Sequence, residues 1–253
     1  MTTRLTIPRI RRGLRRRARV ATAAALSPFQ RWARARRYAR LHRKYHAYTM
    51  IPPRIWHDNL ALCDRHAQGP GCVVECGVWR GGMSAAMAEV LGSRRRSFLF
   101  DSFEGLPAAD PARDGARAVA WQADPTGQHY YNNCRAERAE AEAAMRLAGV
   151  ADPQLIQGWF TTTLPGFVPP EPIRVLRLDA DWYDSTRLCL EALYPHVALG
   201  GLVLINDYFT WDGCARAVHE YLGAQAGHQD RIRQTPRGVA YIIKGTVVPV
   251  APP

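Results

Sequence analysis

The sequence predicts a doubly wound α/β fold built on a mostly parallel β-sheet. Along the 253 residues, short apolar runs typical of strands alternate with longer amphipathic stretches typical of helices. The strand candidates are continuously apolar, as expected for strands that are buried on both faces of a parallel sheet. Two of these runs end in carboxylate or amide side chains, and ligands of such sheets collect beyond the carboxyl ends of the strands.

Residues 1–46 form a basic segment that differs in composition from residues 47–253. The segment holds fifteen of the 34 arginines and lysines and no acidic residue, which leaves 19 basic against 22 acidic residues in the remainder. Residues 2–19 combine an arginine cluster with few apolar residues, a composition that favours disorder. Between Leu26 and Tyr45, aromatic and leucine residues recur at helical intervals, which predicts an amphipathic basic helix.

The partner of this basic helix is left open by the sequence. We expect it to pack on the rest of the chain or on a second subunit. Packing on a second subunit would make the protein a homo-oligomer. Contact with a membrane surface or with nucleic acid is the alternative, although no specific nucleic-acid partner is expected. The aromatic spacing alone does not separate these interpretations.

The elements of the main domain are predicted from residue 53 to residue 244. In chain order they are a helix at 53–66, strand 71–77, helix 84–91, strand 97–101, helix 136–147, strands 153–158 and 173–179, helix 186–196, strand 201–207, helix 214–224 and strands 231–233 and 239–244. The last two strands are expected to pair antiparallel, which gives seven strands in all. The longest irregular stretch, 105–133, has a length typical of a lid or a binding loop.

Several classes of protein are disfavoured by composition. The six cysteines and eight histidines show no spacing typical of a zinc site. No apolar run approaches the ~20 residues needed to span a bilayer. Residues 20–26 are too short and alanine-rich for the apolar core of a secretory signal. We therefore expect reduced thiols and a cytoplasmic location.

Four oxygen-bearing side chains follow two neighbouring strands of the predicted sheet. Asp179 and Asp181 follow one apolar run, and Asn206 and Asp207 end the next. Because the carboxyl ends of parallel strands share one edge, we expect these side chains to meet. Hard oxygen ligands gathered at one point suit Mg²⁺, which indicates an enzyme. Asp179 and Asp181 as caps of the following helix are the alternative.

A glycine-rich turn joins the first predicted strand to the helix at 84–91. Gly77 allows the backbone to approach a ligand closely, and the helix behind presents free N–H groups. Asp101 ends the next strand, where an acidic residue can hold the two hydroxyls of a ribose. This order favours an adenosine-containing cofactor, although the turn departs from G-x-G-x-x-G. A buried structural role for Glu75 and a capping role for Asp101 stay open.

Four motifs in this chain resemble those of the macrocin O-methyltransferase (TylF/MycF) family. They are V-E-C-G-V-W-R-G-G at 74–82, F-D-S-F-E-G-L-P at 100–107, G-W-F-T-T-T-L-P at 158–165 and L-D-A-D-W-Y-D-S-T at 178–186. They occur in matching order within a resemblance that runs from about residue 48 to residue 244. The arginine-rich segment lies outside that range.

The resemblance implies a fold of the class I methyltransferase type and an S-adenosylmethionine- and Mg²⁺-dependent O-methyltransferase of antibiotic biosynthesis. The expected acceptor is a hydroxyl of a small natural product, above all a sugar of a glycosylated metabolite, and residues 47–253 would form the cofactor-binding domain. The implied cofactor contacts are Glu75 and Gly77 at the methionine end, Asp101 and Ser102 at the ribose, and Gly158 and Trp159 near the adenine.

The resemblance also implies a metal site and a base. Asp179, Asn206 and Asp207 would hold Mg²⁺, and Asp181 would take the proton of the acceptor hydroxyl. Asn206 departs from the family, which usually has two consecutive aspartates here. An amide oxygen is still a hard ligand but brings no charge, so Mg²⁺ binding is expected to be weaker. A non-catalytic partner protein that keeps the cofactor pocket is the alternative function.

Overall fold

The computed structural model describes residues 27–225 and 230–245, which contain a seven-stranded sheet in the order β3-β2-β1-β4-β5-β7-β6. The strands are β1 (Cys72–Cys76), β2 (Ser97–Asp101), β3 (Gln154–Gln157), β4 (Ile173–Leu178), β5 (Val197–Ile205), β6 (Arg233–Gln234) and β7 (Ala240–Ile243). Strands β1 to β5 are parallel, and β7 runs antiparallel to both β5 and β6. The predicted doubly wound, mostly parallel α/β fold is confirmed.

Helices cover both faces of the sheet. They are α1 (Pro28–Lys44), α2 (Pro53–His66), α3 (Gly82–Leu91), α4 (Gly115–Ala123), α5 (Arg138–Leu147), α6 (Phe160–Thr163), α7 (Tyr183–Leu193) and α8 (Asp212–Ala224). Alternate residues of β4 enter different cores, because successive side chains of a strand point to opposite faces. Val175 joins the core that includes α1, α2, α3 and α5, whereas Leu176 joins the core that includes α4, α7 and α8.

The strand order places a crevice at the edge of the sheet where the strands end. Numbering reverses between β1 and β4, so the connections that follow these two strands leave in opposite directions. In doubly wound sheets this switch point is where ligands bind. The turns after β1 and β4 therefore face each other across the site.

Some element boundaries differ from those that the sequence predicts. The stretch 105–133 is not irregular throughout, because it contains α4. Helix α7 begins at Tyr183 rather than at residue 186, and β5 begins at Val197 rather than at residue 201. The pairing of β5 with β4 is irregular near its start, which an apolar run does not reveal.

Helix α1 packs on the body of the chain through its second half. Ser27 and Gln30 form a capping box at its beginning. Tyr38 and Leu41 are buried, and the Tyr38 hydroxyl donates to Asp64 at 2.7 Å. The expected packing on the rest of the chain is present, whereas the arginine cluster of residues 9–17 and Leu26 lie outside the described residues. No helix of the described residues has the length and apolar character to cross a bilayer.

Candidate active site

A cavity of about 420 Å³ lies at the carboxyl ends of strands β1 to β5. All ten site residues that the sequence predicts line it, although they come from five different strand ends. They are Glu75, Gly77, Asp101, Ser102, Gly158, Trp159, Asp179, Asp181, Asn206 and Asp207. They include Asp179, Asp181, Asn206 and Asp207, the four residues that the sequence predicts to meet at one edge of the sheet. The individual roles of these residues stay predictions.

Gly77 brings the turns after β1 and β4 into direct contact. Its φ is +85°, and a Cβ at this position would lie 1.8 Å from the carbonyl oxygen of Asp179. A side chain is therefore excluded by both backbone conformation and space. The Asp179 N–H donates to the carbonyl of Cys76 at 2.9 Å. The hydrogen bonding between β1 and β4 therefore continues as far as Asp179, one of the predicted metal ligands.

The Asp101 carboxylate organises the glycine-rich turn. It accepts hydrogen bonds from the backbone N–H groups of Val78 at 2.6 Å, Trp79 at 2.8 Å and Phe103 at 2.7 Å. Burial raises the pKa of Asp101 despite these three bonds. Asp101 therefore does not cap α3, which begins at Gly82 without a side-chain cap, but it holds the two turns, and a ribose contact would add to these bonds. Ser102 accepts from the Glu104 N–H in the same loop.

Glu75 borders the cavity and also belongs to a buried polar network. Its carboxylate accepts from the Ser84 hydroxyl and from Arg177 Nη1, the latter at 2.5 Å. Burial raises the pKa of Glu75, although the Arg177 charge opposes the shift. Arg177 Nη2 also lies 2.9 Å from Oδ2 of Asp179. The structural alternative for Glu75 therefore matches its contacts, and Arg177 is a site residue that the sequence reading missed.

Gly158 and Trp159 lie between β3 and α6 and border the cavity. Gly158 has φ +141° and donates to the carbonyl of Asp101 at 2.9 Å. The hydroxyls of Thr162 and Thr163 donate to the Trp159 carbonyl. These bonds fix the backbone on which the Trp159 ring borders the cavity. The position of Gly158 and Trp159 near an adenine stays a prediction.

The four oxygen-bearing side chains after β4 and β5 meet as predicted. Asp181 donates its backbone N–H to Oδ2 of Asp207 at 3.2 Å, and Asn206 Nδ2 lies 3.3 Å from Oδ1 of Asp207. The capping alternative for Asp179 and Asp181 is wrong, because no side chain of the preceding segment caps α7. Asp114, which precedes α4, accepts the Tyr183 N–H at 2.7 Å instead.

The negative charges of this cluster oppose the ionisation of Asp181 and Asp207. Burial, together with the negative charge of Asp179, raises the pKa of Asp181 to about 8. Burial and the charges of Asp181 and Asp179 likewise raise the pKa of Asp207 well above its usual value. A cation among these groups would relieve the repulsion. Arg177 supplies one positive charge, on the side of Asp179.

The donor set fits a hard divalent cation. Among residues 27–225 and 230–245, no three His, Cys, Asp or Glu side chains form a metal-binding group by themselves. The Asn206 Oδ1 is buried without a hydrogen-bond partner, while its Nδ2 donates to Asp207. An orphaned amide oxygen beside two carboxylates matches the ligands that Mg²⁺ accepts. A metal site here therefore requires Asn206 in addition to Asp179 and Asp207.

Trp211 is a second residue whose contact the sequence did not predict. The structure places Trp211 in the core, 7% exposed, with its indole Nε1 2.9 Å from Oδ1 of Asp181. The rings of Trp182 and Trp121 pack against it at 5.1 and 5.7 Å. Phe209, by contrast, is exposed.

Comparison with known proteins gives one consistent result. The family model described as macrocin O-methyltransferase (TylF) matches residues 9–241. The expectation that the resemblance begins near residue 48 and leaves out the arginine-rich segment is therefore wrong. The 8-demethyl-8-(2,3-dimethoxy-alpha-L-rhamnosyl)-tetracenomycin-C 4'-O-methyltransferase of Streptomyces olivaceus is 41% identical over 187 residues, which cover 70% of this chain and 68% of that protein. Demethyldecarbamoylnovobiocin O-methyltransferase of Streptomyces niveus is 36% identical over 185 residues, covering 69% and 68%.

Solved structures agree with these relatives. The O-methyltransferase NovP superimposes with a TM-score of 0.64 at 30% identity, over 78% of this chain and 82% of that one. The calicheamicin methyltransferase CalS11 shares the fold, with a TM-score of 0.57 at 22% identity over 88% and 95% of the two chains. The seven-stranded sheet is thus that of methyltransferases. The chain belongs to the macrocin O-methyltransferase family of enzymes.

Proposed function

We propose that the protein is an S-adenosylmethionine- and Mg²⁺-dependent O-methyltransferase that modifies a sugar hydroxyl of a glycosylated natural product. The observation that carries this proposal is the single cavity where the glycine-rich turn after β1 meets Asp179, Asp181, Asn206 and Asp207. The acceptor class is supported by the tetracenomycin relative, which is named for methylation of a rhamnosyl group. The cavity lining begins at Tyr48, which supports residues 47–253 as the catalytic domain.

The cofactor would lie across the ends of β1, β2 and β3. Gly77 lets the turn after β1 pack directly against Asp179, and the hydrogen bonds that Val78 and Trp79 donate to Asp101 hold this turn in place. S-adenosylmethionine would supply a methyl group on a sulfonium, so transfer depends on alignment of the acceptor oxygen with that carbon. The fixed turn and the half-enclosed cavity supply such alignment.

The metal and the base would lie at the ends of β4 and β5. Asp179, Asn206 and Asp207 would bind Mg²⁺, which would supply a Lewis acid that favours loss of the acceptor's proton. Asp181 borders the cavity beside these residues, so its carboxylate can accept that proton as the C–O bond forms and the S–CH₃ bond breaks. The products are the methyl ether and S-adenosylhomocysteine.

Methyl transfer from labelled cofactor to a panel of glycosides, with and without EDTA, tests this proposal. We expect EDTA and the Asp181→Asn variant each to lower transfer at least 100-fold, because loss of a general base costs about 10²–10⁴-fold. Asp181→Asn should keep its affinity for S-adenosylhomocysteine. The exposed Asp152→Asn is the matched control. Normal transfer by Asp181→Asn would show that the base is misassigned.

The non-catalytic alternative predicts a different outcome of the same assay. A partner protein that keeps only the cofactor pocket would bind S-adenosylhomocysteine but methylate none of the glycosides. EDTA would also leave its affinity for the cofactor unchanged. Transfer that depends on Asp181 would dismiss this alternative.

A further inference from the structure

We propose that Trp211 is a positioning residue for Asp181: its indole N–H holds Oδ1 of the carboxylate and leaves Oδ2 to receive the acceptor's proton. The contact is direct, with Nε1 2.9 Å from Oδ1. The inference rests on the proposed function, because it assumes that Asp181 is the base. It adds a residue that is absent from the predicted site.

Asp181 needs such support because its backbone is held in an unfavourable conformation. Its φ is +54°, in the left-handed region that residues with a side chain seldom adopt. The turn after β5 holds it there at two points. Oδ2 of Asp207 accepts the Asp181 N–H at 3.2 Å, and Trp211 donates to the side chain. The two bonds together determine where the carboxylate points.

The Trp211 indole is itself fixed. Its backbone N–H donates to the Asp207 carbonyl at 2.9 Å, which closes the turn between β5 and α8. Its ring packs edge-on against those of Trp182 and Trp121, with interplanar angles of 66° and 64°. A donor held by packing loses little entropy when it orients a partner, and such preorganisation favours catalysis.

Each indole N–H of this tryptophan cluster has a partner, and only one of the three partners is charged. Trp182 donates to the carbonyl of Pro107 at 2.9 Å, and Trp121 donates to the carbonyl of His129 at 3.1 Å. Trp211 donates to a carboxylate that stands beside two others. Trp56 is buried in the other core, donates its indole N–H to a backbone carbonyl and does not border the cavity. It therefore provides a control of the same residue type outside this cluster.

The first test compares Trp211→Phe with Trp56→Phe, because both remove a buried indole N–H but only the first removes the bond to Asp181. We expect Trp211→Phe to lower kcat about 10–100-fold, the usual cost of losing a residue that orients a reacting group. The KM values for cofactor and acceptor should stay within about threefold. Trp56→Phe should retain kcat within about threefold. Equal losses in the two variants would overturn the proposal.

A second measurement separates positioning from packing. In the Asp181→Asn background, Trp211→Phe should cause no further loss of transfer, because two residues that act through one step are not additive. A further loss of 10-fold or more would assign Trp211 to packing. If Asp181→Asn itself transfers normally, the proposed base is wrong, and that failure is distinct from a normal Trp211→Phe.

A replacement that preserves the shape of the ring controls for a folding defect in Trp211→Phe. Site-specific incorporation of benzothienylalanine at position 211 keeps the bicyclic ring and substitutes sulfur for the N–H. The melting temperature should match the wild type, and kcat should fall as in Trp211→Phe. A folded protein with this replacement and unchanged kcat would contradict the proposal.

Discussion

At the scale of single residues, two opposite charges lie side by side within the parallel sheet. Glu75 on β1 and Arg177 on β4 are paired in register, and each side chain is 1% exposed. Removing one charge from water costs several kcal/mol unless a partner compensates it. Each of these groups therefore depends on the other, and Arg177 extends the same network to Asp179.

Loss of one partner should be far more damaging than loss of both. We expect Arg177→Met to lower the free energy of unfolding by about 3–5 kcal/mol, because Glu75 would remain buried without its counter-charge. The double substitution Glu75→Gln/Arg177→Met should recover most of this loss. Urea unfolding followed by circular dichroism measures both. If the double variant is no more stable than Arg177→Met, the two charges are not coupled.

Asn206 should set the affinity of the proposed metal site. Asn206→Asp adds a charge to the donor set, so we expect it to tighten Mg²⁺ binding about tenfold. It should also lower the melting temperature in EDTA, because another carboxylate joins a mutually repelling group. Calorimetric titration with Mg²⁺ and thermal melts measure the two effects. Asn132→Asp, at an exposed position, is the control, and an unchanged Mg²⁺ affinity in Asn206→Asp would count against the site.

At the scale of elements, α1 combines a buried and an exposed part. Leu41 is 1% exposed, whereas Trp32 is 53% exposed near the beginning of the helix. We expect Leu41→Ala to destabilise the protein by about 2–5 kcal/mol, because it leaves a cavity in the core. Trp32→Ala should change stability by no more than about 0.5 kcal/mol. Denaturant unfolding tests both, and a large loss in Trp32→Ala would mean that this face is covered in solution.

The sequence predicts the regular elements well where their own pattern determines them. The bounds predicted for α2 and β2 agree with the structure, because both show a clear apolar period or run. Helix α4 was missed because Ala118 is its one buried residue, which gives no apolar stripe to read. Its surroundings are stabilised by distant contacts, such as Gln122 with Pro107 and Asn133. Those contacts depend on tertiary structure.

The site was predictable as a set of positions but not as a set of contacts. The ten residues that were predicted from strand ends and motifs all border the cavity. The bond from Trp211 to Asp181 was not foreseen, because it requires knowledge of how the turn after β5 folds back. Arg177 carried a signal, since an arginine inside an apolar strand requires a buried partner. Glu75 becomes that partner only once β1 and β4 are known to be neighbours.

At the scale of the whole molecule, Asp58 connects α2 to the turn between β6 and β7. Arg237 Nη1 lies 2.6 Å from its Oδ1. Burial would by itself raise the pKa of Asp58, but hydrogen bonds from Thr235, His57 and Arg237 hold the pKa below its usual value. A carboxyl with a lowered pKa in the folded state stabilises the protein above the unfolded pKa of about 4, and this stability is lost as the pH falls through the folded pKa.

The pH dependence of stability should therefore distinguish the wild type from Asp58→Asn. We expect the wild type to be more stable at pH 7, with a difference that shrinks as the pH falls from about 5 to about 2. Urea unfolding at a series of pH values measures this difference. Asp152→Asn, in which an exposed carboxylate is removed, should show little difference from the wild type at any of these pH values. A difference for Asp58→Asn that stays constant with pH would contradict this account.

The most direct test of the proposed active site is a crystal structure with S-adenosylhomocysteine and Mn²⁺, which replaces Mg²⁺ at hard oxygen sites and has an anomalous signal. We predict an anomalous peak within about 2.5 Å of oxygens from Asp179, Asn206 and Asp207. The cofactor should lie along the glycine-rich turn, with its sulfur directed towards Asp181. An anomalous peak at another position would contradict the account. So would a structure at saturating Mn²⁺ in which the Arg177 guanidinium occupies the place of the ion.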